Sequence, residues 1–180
     1  MASTAVLFDP VVIKLRDGRE VTVRAIRVHD AERLQAAIRK LSPESRYSRF
    51  FSPLRELPPQ LLERATHPDA LSELQLVAVV GAGSEEEIIA GARYAATAEP
   101  GDCEFGVAVV DAWHGLGLAR TLLETLMRSA RARGFARMEG YILASNTAML
   151  GLAKRLGFTP AKSSEGPTVC LLRCDLGSVG

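Results

Sequence analysis

The chain has 180 residues, enough for one domain with a substantial core, and its 47% apolar and 24% charged residues suit an ordinary globular protein. A net charge of +1 excludes a bulk attraction to nucleic acid or to an anionic membrane. Cys103, Cys170 and Cys174 fit no disulfide or zinc-ligand spacing, and no segment reaches the roughly 18 apolar residues of a membrane span. Met1–Asp9 also lacks the basic-then-apolar order of a secretory leader, so a soluble cytoplasmic protein without a bound metal is expected.

Taken in chain order, Val11–Leu15 and Glu20–Ile26 flank Arg16-Asp17-Gly18-Arg19, an Asp-Gly pair between β-rich runs that predicts a hairpin. Asp30 is placed to cap a helix carrying Leu34, Ala37, Ile38 and Leu41 on one face. Ser42-Pro43-Glu44-Ser45 starts a second helix, and Leu57-Pro58-Pro59 a third that ends near His67-Pro68. His29 and His67 read as surface residues of loops. Strands follow at Gln75–Val80, Ile88–Ala96 and Cys103–Val110, separated by turns at Gly81–Glu87 and Pro100-Gly101-Asp102.

From Gly115 to about Arg133 the period becomes helical, with Ala119, Leu122, Leu123, Leu126, Met127 and Ala130 in one stripe and Gly134 as a left-handed cap. Ala136–Leu143 is a strand, Asn146–Leu156 a helix after Ser145, and Thr168–Cys174 a last strand. These elements make an α/β fold around a mixed sheet, with residues 1–10 as an extension, 11–176 as one domain and 177–180 as a tail.

The chemistry gathers at Glu104–Arg120. A strand ends there, a short turn follows, and a helix begins with glycines in its first turn. Such a helix start leaves N–H groups unpaired at the positive end of the helix dipole, and Gly115 and Gly117 let a ligand approach the main chain. The natural guest is a phosphate or pyrophosphate, although glycines can equally serve tight packing alone. A dinucleotide fingerprint is excluded because Arg120 stands where a small residue is needed. A P-loop at Gly101…Gly106 is excluded because Val107 and Ala108 follow it instead of Lys and Ser or Thr.

His114-Gly-Leu-Gly-Leu-Ala119 resembles the Gln/Arg-Gly-x-Gly-x-Gly/Ala signature of GNAT acetyltransferases, and Asn146-Thr-Ala-Met-Leu-Gly-Leu-Ala-Lys-Arg-Leu-Gly-Phe158 resembles their Asn…Leu-Gly-Phe stretch. Leu41-Ser-Pro-Glu-Ser-Arg-Tyr-Ser-Arg-Phe-Phe-Ser-Pro53 further resembles the catalytic domain of bacterial Pat-type protein lysine acetyltransferases. The resemblance covers most of residues 11–174. It implies a mixed, mostly antiparallel sheet flanked by helices, with a splayed central strand pair. It further implies acetyl-CoA as co-substrate, its pyrophosphate held by His114, Gly115, Leu116, Gly117, Leu118 and Ala119, with Arg120 either on a phosphate or solvated. The arm would run along Val107, Val109 and Val110 and meet Asn146.

Glu104 corresponds to the glutamate that resembling enzymes use as general base, directly or through a water. An amine of pKa about 10.4 needs such a base before it can attack a thioester. The N–H of Val109 or Val110 is a candidate donor to the developing oxyanion. Cys103 reads as a buried strand thiol and not as a nucleophile. His114 departs from the family's Gln or Arg, leaving one imidazole N–H for the pyrophosphate, and Ala153 stands where many members carry a Tyr acid. Lys154 and Arg155 read as solvated charges, and Trp113 as packing under the turn or lining the coenzyme channel. The acceptor is a protein lysine or a small amine, a non-catalytic acyl-CoA sensor is the rival reading, and a homodimer is permitted.

Overall fold

A computed structural model describes residues 8–178. The hairpin forms as the Asp-Gly turn demands: β1 (Val11–Lys14) and β2 (Glu20–Ala25) pair antiparallel, and the Asp17 carboxylate accepts the N–H of Arg19. Helices α1 (Ala31–Lys40), α2 (Pro43–Phe50) and α3 (Pro59–Thr66) follow. Ser42 caps α2 by accepting the N–H of Ser45, as the sequence suggests.

Asp30 corrects its expected role. It occupies the position before α1, but its side chain does not cap that helix. Its carboxylate is 1% exposed and takes both Nη groups of Arg24, at 2.7 and 2.9 Å, together with the N–H of Arg27. Arg24 also donates to Glu86 at 2.5 Å, so β2, the start of α1 and the turn at residues 81–86 meet at one buried ion cluster.

Next come β3 (Glu73–Val80), β4 (Glu87–Ala96), β5 (Asp102–Val109), α4 (Leu118–Ala132), β6 (Arg137–Leu143), α5 (Thr147–Arg155), β7 (Thr159–Ala161) and β8 (Val169–Asp175). The sheet runs β1-β2-β3-β4-β5-β6-β8-β7 and is antiparallel throughout except for β5–β6. β7 was not expected: three residues with a central Pro give no alternation to read, and the strand exists only because β8 pairs with it.

Both faces of the sheet are covered, which is why β3 is a continuous apolar run. One face packs under α4 and α5, where Leu122, Leu123 and Leu126 are fully buried, each contributing roughly 1.5–3 kcal/mol. On the other, Leu34, Ile38 and Leu57 from the α1–α3 layer meet Val77, Val79 and Ile88. Part of the expected extension (1–7) and of the tail (179–180) lies outside the described residues. Leu176 is fully buried and donates its N–H to Ala136.

β5 and β6 pair only through Asp102, Cys103 and Glu104, although β6 continues against β8 to Leu143. The next pair in register would be Phe105 with Gly140. The Phe105 ring occupies that place, so close that a Cβ on Gly140 would sit 2.3 Å from its Cε1. Phe158 braces the same ring edge-on at 5.2 Å. The strands part at the position where this ring covers Gly140.

Candidate functional site

The strand separation opens a cleft of about 580 Å³ between the free edge of β5, the starts of α4 and α5, and one side of α2. Val110 donates its N–H to Ile89 of β4 at 2.9 Å, and β5 keeps that register with Gly91 opposite Ala108. Alternate residues of an antiparallel ladder bond to the same neighbour, so Val107 and Val109 turn their main-chain groups to the open edge. Val110 therefore leaves the expected set: its N–H is committed to β4, and its side chain faces the other cavity of the molecule. Of the two candidate oxyanion donors, Val109 is the one on the cleft.

The turn before α4 has the expected glycine geometry. Gly115 and Gly117 sit at φ 75° and 87°, values that L side chains rarely adopt. The N–H groups of residues 115–120 donate to no protein acceptor among the described residues. Six consecutive free donors at the start of a 15-residue helix could hold an anion, by dipole and hydrogen-bond count together. Gly115, Gly117, Leu118, Ala119 and Arg120 line the cleft, whereas the Leu116 side chain turns into the core and its carbonyl accepts from Arg16.

His114 lines the cleft with its donors already used. Nε2–H donates to the Val109 carbonyl at 2.7 Å and the main-chain N–H to Asp111 at 3.1 Å, so both of these donors are engaged within the protein. Asn146, not Ser145, caps α5: its Oδ1 accepts the N–H of Met149, which leaves the side-chain NH₂ for the cleft. Arg120 is exposed and paired with Glu124 at 3.0 Å.

Glu104 stands at the last rung before the strands part, opposite Ala95 on one side and Glu139 on the other. Burial, then the nearby Glu139 carboxylate, raises its pKa, while Arg49 and Arg93 pull it back. The carboxylate remains reachable from the cleft. Cys103 points to the opposite face, fully buried, its thiol pushed up to about 12 by burial first and then by Asp102 and Glu139. That thiol is inert as a nucleophile at neutral pH.

Arg16 from the hairpin turn, Ser48 and Arg49 from α2, and Tyr141 from β6 also line the cleft, though none is among the expected site residues. All reach the site through tertiary folding. Arg155, read as solvated, is exposed but borders the cleft, and Trp113 both borders it and lies under the Arg19 guanidinium at 3.9 Å. Among the described residues no group of three or more His, Cys, Asp or Glu side chains is arranged to hold a metal ion, and no helix is long and apolar enough to cross a membrane.

Residues 36–158 match the model of the acetyltransferase (GNAT) family. The chain is 36% identical over 175 residues to an acetyltransferase of Pseudomonas aeruginosa, covering 97% of this chain and 94% of that protein. It is similar to the crystal structure of the GNAT domain of S. lividans PAT with a TM-score of 0.83 at 36% identity, over 92% of this chain and 96% of that one. It is also similar to a cAMP-binding acyltransferase from Mycobacterium smegmatis, with a TM-score of 0.62 at 26% identity, over 95% of this chain and 49% of that one.

Proposed function

The chain belongs to the acetyltransferase (GNAT) family, and from that membership we propose that it carries an acetyl group from acetyl-CoA to a protein lysine side chain, with Glu104 as general base. The observation that carries the reading is the alignment of three features in one cleft: a row of free N–H groups, an open strand edge and a carboxylate of raised pKa where the edge begins. The donors of residues 115–120 suit a pyrophosphate, the edge at Val107 and Val109 suits an amide-bearing arm, and the NH₂ of Asn146 faces the same space.

When bound, acetyl-CoA supplies a thioester carbon activated for attack. Glu104 takes the proton that the amine must lose, directly or through a water, and its raised pKa brings it nearer to the basicity that this task needs. The Val109 N–H meets the charge that develops on the carbonyl oxygen. The amine attacks directly in a ternary complex, because the one thiol neighbouring Glu104 is buried on the far face. Lysine as acceptor is supported by the Leu41–Pro53 resemblance to Pat-type enzymes and by the likeness to the S. lividans PAT domain. A small amine is the second reading, favoured by a cavity with a largely apolar lining that borders the cleft. The open edge of β1, where Val11 and Val12 are exposed, leaves a homodimer among the proposals, to be read by sedimentation.

The test is thiol release from acetyl-CoA across a panel of lysine-bearing proteins and small amines. Glu104→Gln is expected to lower kcat by about 10²–10⁴-fold with coenzyme affinity unchanged. Tight coenzyme binding without amine-dependent release from the wild-type protein would instead identify an acyl-CoA sensor.

A further inference from the structure

Transfer of a plain acetyl group to a plain amine leaves one charged residue of the cleft without an occupation. Arg49, in the last turn of α2, extends over Gly106 of β5. A Cβ at 106 would lie 2.7 Å from the guanidinium carbon and 2.9 Å from two of its nitrogens. Among the described residues Arg49 makes no hydrogen bond and no ion pair, and its ring contact is Phe50 at 5.0 Å. Its charged neighbours are Arg93, which repels it, and Glu104, which attracts it without reaching ion-pair distance. Arg93 already has a carboxylate in Glu73, at 3.4 Å. Burial and Arg93 push Arg49 down to about 10, so it stays cationic at neutral pH. Arg49 is half-buried, and a partly desolvated charge is ordinarily paired, yet this one has no partner among the described residues.

Its position indicates where a partner would come from. Arg49, Gly106 and Ala108 form a wall shared between the cleft and a second cavity of about 220 Å³, which lies between the sheet and the α1–α3 layer. Leu34, Ile38, Leu57 and Ile88 give that cavity an apolar lining. Its charged lining is Arg49, Arg64 and Arg93 against the single carboxylate of Glu73. A cavity with aliphatic walls and an excess of guanidinium suits a short hydrocarbon segment that ends in an anion.

We propose that Arg49 binds a carboxylate carried by the substrates on the side of the reacting carbonyl away from the coenzyme, with the adjoining carbons in the apolar cavity. Two sources offer the same chemistry: a dicarboxylic acyl group such as succinyl on the donor, or the α-carboxylate of an apolar amino acid acting as acceptor. The inference rests on the acyl-transfer reading above. In either case the amine nitrogen forms the new C–N bond, the C–S bond breaks, Glu104 takes the amine proton, and the coenzyme leaves as its thiolate. The carboxylate takes no part beyond its fork-to-fork contact with the guanidinium.

The donor arm compares succinyl-CoA with butyryl-CoA, equal in chain length but lacking the terminal carboxylate, by calorimetry and by thiol release. The acceptor arm compares leucine with leucinamide under acetyl-CoA at matched free-amine concentration. A preference for the acid of at least about tenfold is expected in one arm, the weight of a charge-assisted pair, and that arm names the source. Arg49→Gln is expected to reduce the preference to within about twofold, with coenzyme A binding as the folding control. Parity between acid and neutral compound in both arms, or a preference that survives Arg49→Gln, overturns the proposal. Should the variant fail to bind coenzyme A, the wild-type comparison decides alone. Calorimetric preference for succinyl-CoA with no transfer to any amine would uphold the anion site and fault the transferase reading instead.

Discussion

Glu104 titrates in an environment whose parts pull in opposite directions. Burial and Glu139 raise it, Arg49 and Arg93 lower it, and the net direction is upward. A general base works when deprotonated, so the acid limb of the kcat/KM profile should lie above the ordinary glutamate range. Glu139→Gln should move that limb to lower pH, and an unmoved limb would mean that another group sets it. Asp30 runs the other way. Burial pushes its pKa up, but the Arg24 hydrogen bonds, the Arg27 N–H and the Arg24 charge together hold it below the usual value. Its contribution to stability is therefore complete above the unfolded carboxylate range and is lost as pH falls through the depressed folded value. Asp30→Asn should cost about 3–5 kcal/mol in urea unfolding at pH 7, because it breaks the bidentate partner of a buried guanidinium, and should flatten that acid dependence. That the loop glycines border the cleft was legible from a local event, a helix start, and that Glu104 does so was expected through the resemblance. Arg49, Arg16 and the pairing of Asp30 were not, because their partners lie across the fold and no spacing encodes them.

At the scale of elements, the sequence located every α-helix and every strand but β7 among the described residues. The errors fell where a boundary depends on a single hydrogen bond. α4 begins at Leu118 and not at Gly115, because residues 115–117 form the donor-rich turn; α5 begins after Asn146, whose side chain supplies the cap. The parting of β5 and β6 was expected only through resemblance, since nothing local in Phe105 or Gly140 announces that the ring of one will cover the other. Gly140→Ala forces a methyl group into that ring, and overpacking of this kind costs about 1–3 kcal/mol. The ring must shift toward the cleft, so acetyl-CoA affinity should fall along with the melting temperature. Unchanged affinity at lowered stability would mean that the ring yields toward Phe158 instead.

For the molecule as a whole, the cleft draws on elements from both layers and from both halves of the chain: α2 on one face of the sheet, α4 and α5 on the other, and β5 and β6 between them. A ligand spanning these parts stabilises all of them together. Acetyl-CoA at about one hundred times its dissociation constant should add roughly 2.7 kcal/mol, a rise in melting temperature of about 5–10 °C for a domain of this size. Glu104→Gln should keep that rise in full if the carboxylate serves chemistry alone, and a lost rise would assign Glu104 to binding.

The Phe105 ring also bears on time. The gap between β5 and β6 is held open by a side chain locked between Gly140 and Phe158, so no strand pairing has to break before a ligand enters. In stopped-flow mixing, coenzyme binding should be a single phase whose rate rises linearly with ligand concentration, without the plateau that a slow opening step would impose. Phe105→Ala, by letting the ladder zip onward past Glu104, should introduce that plateau.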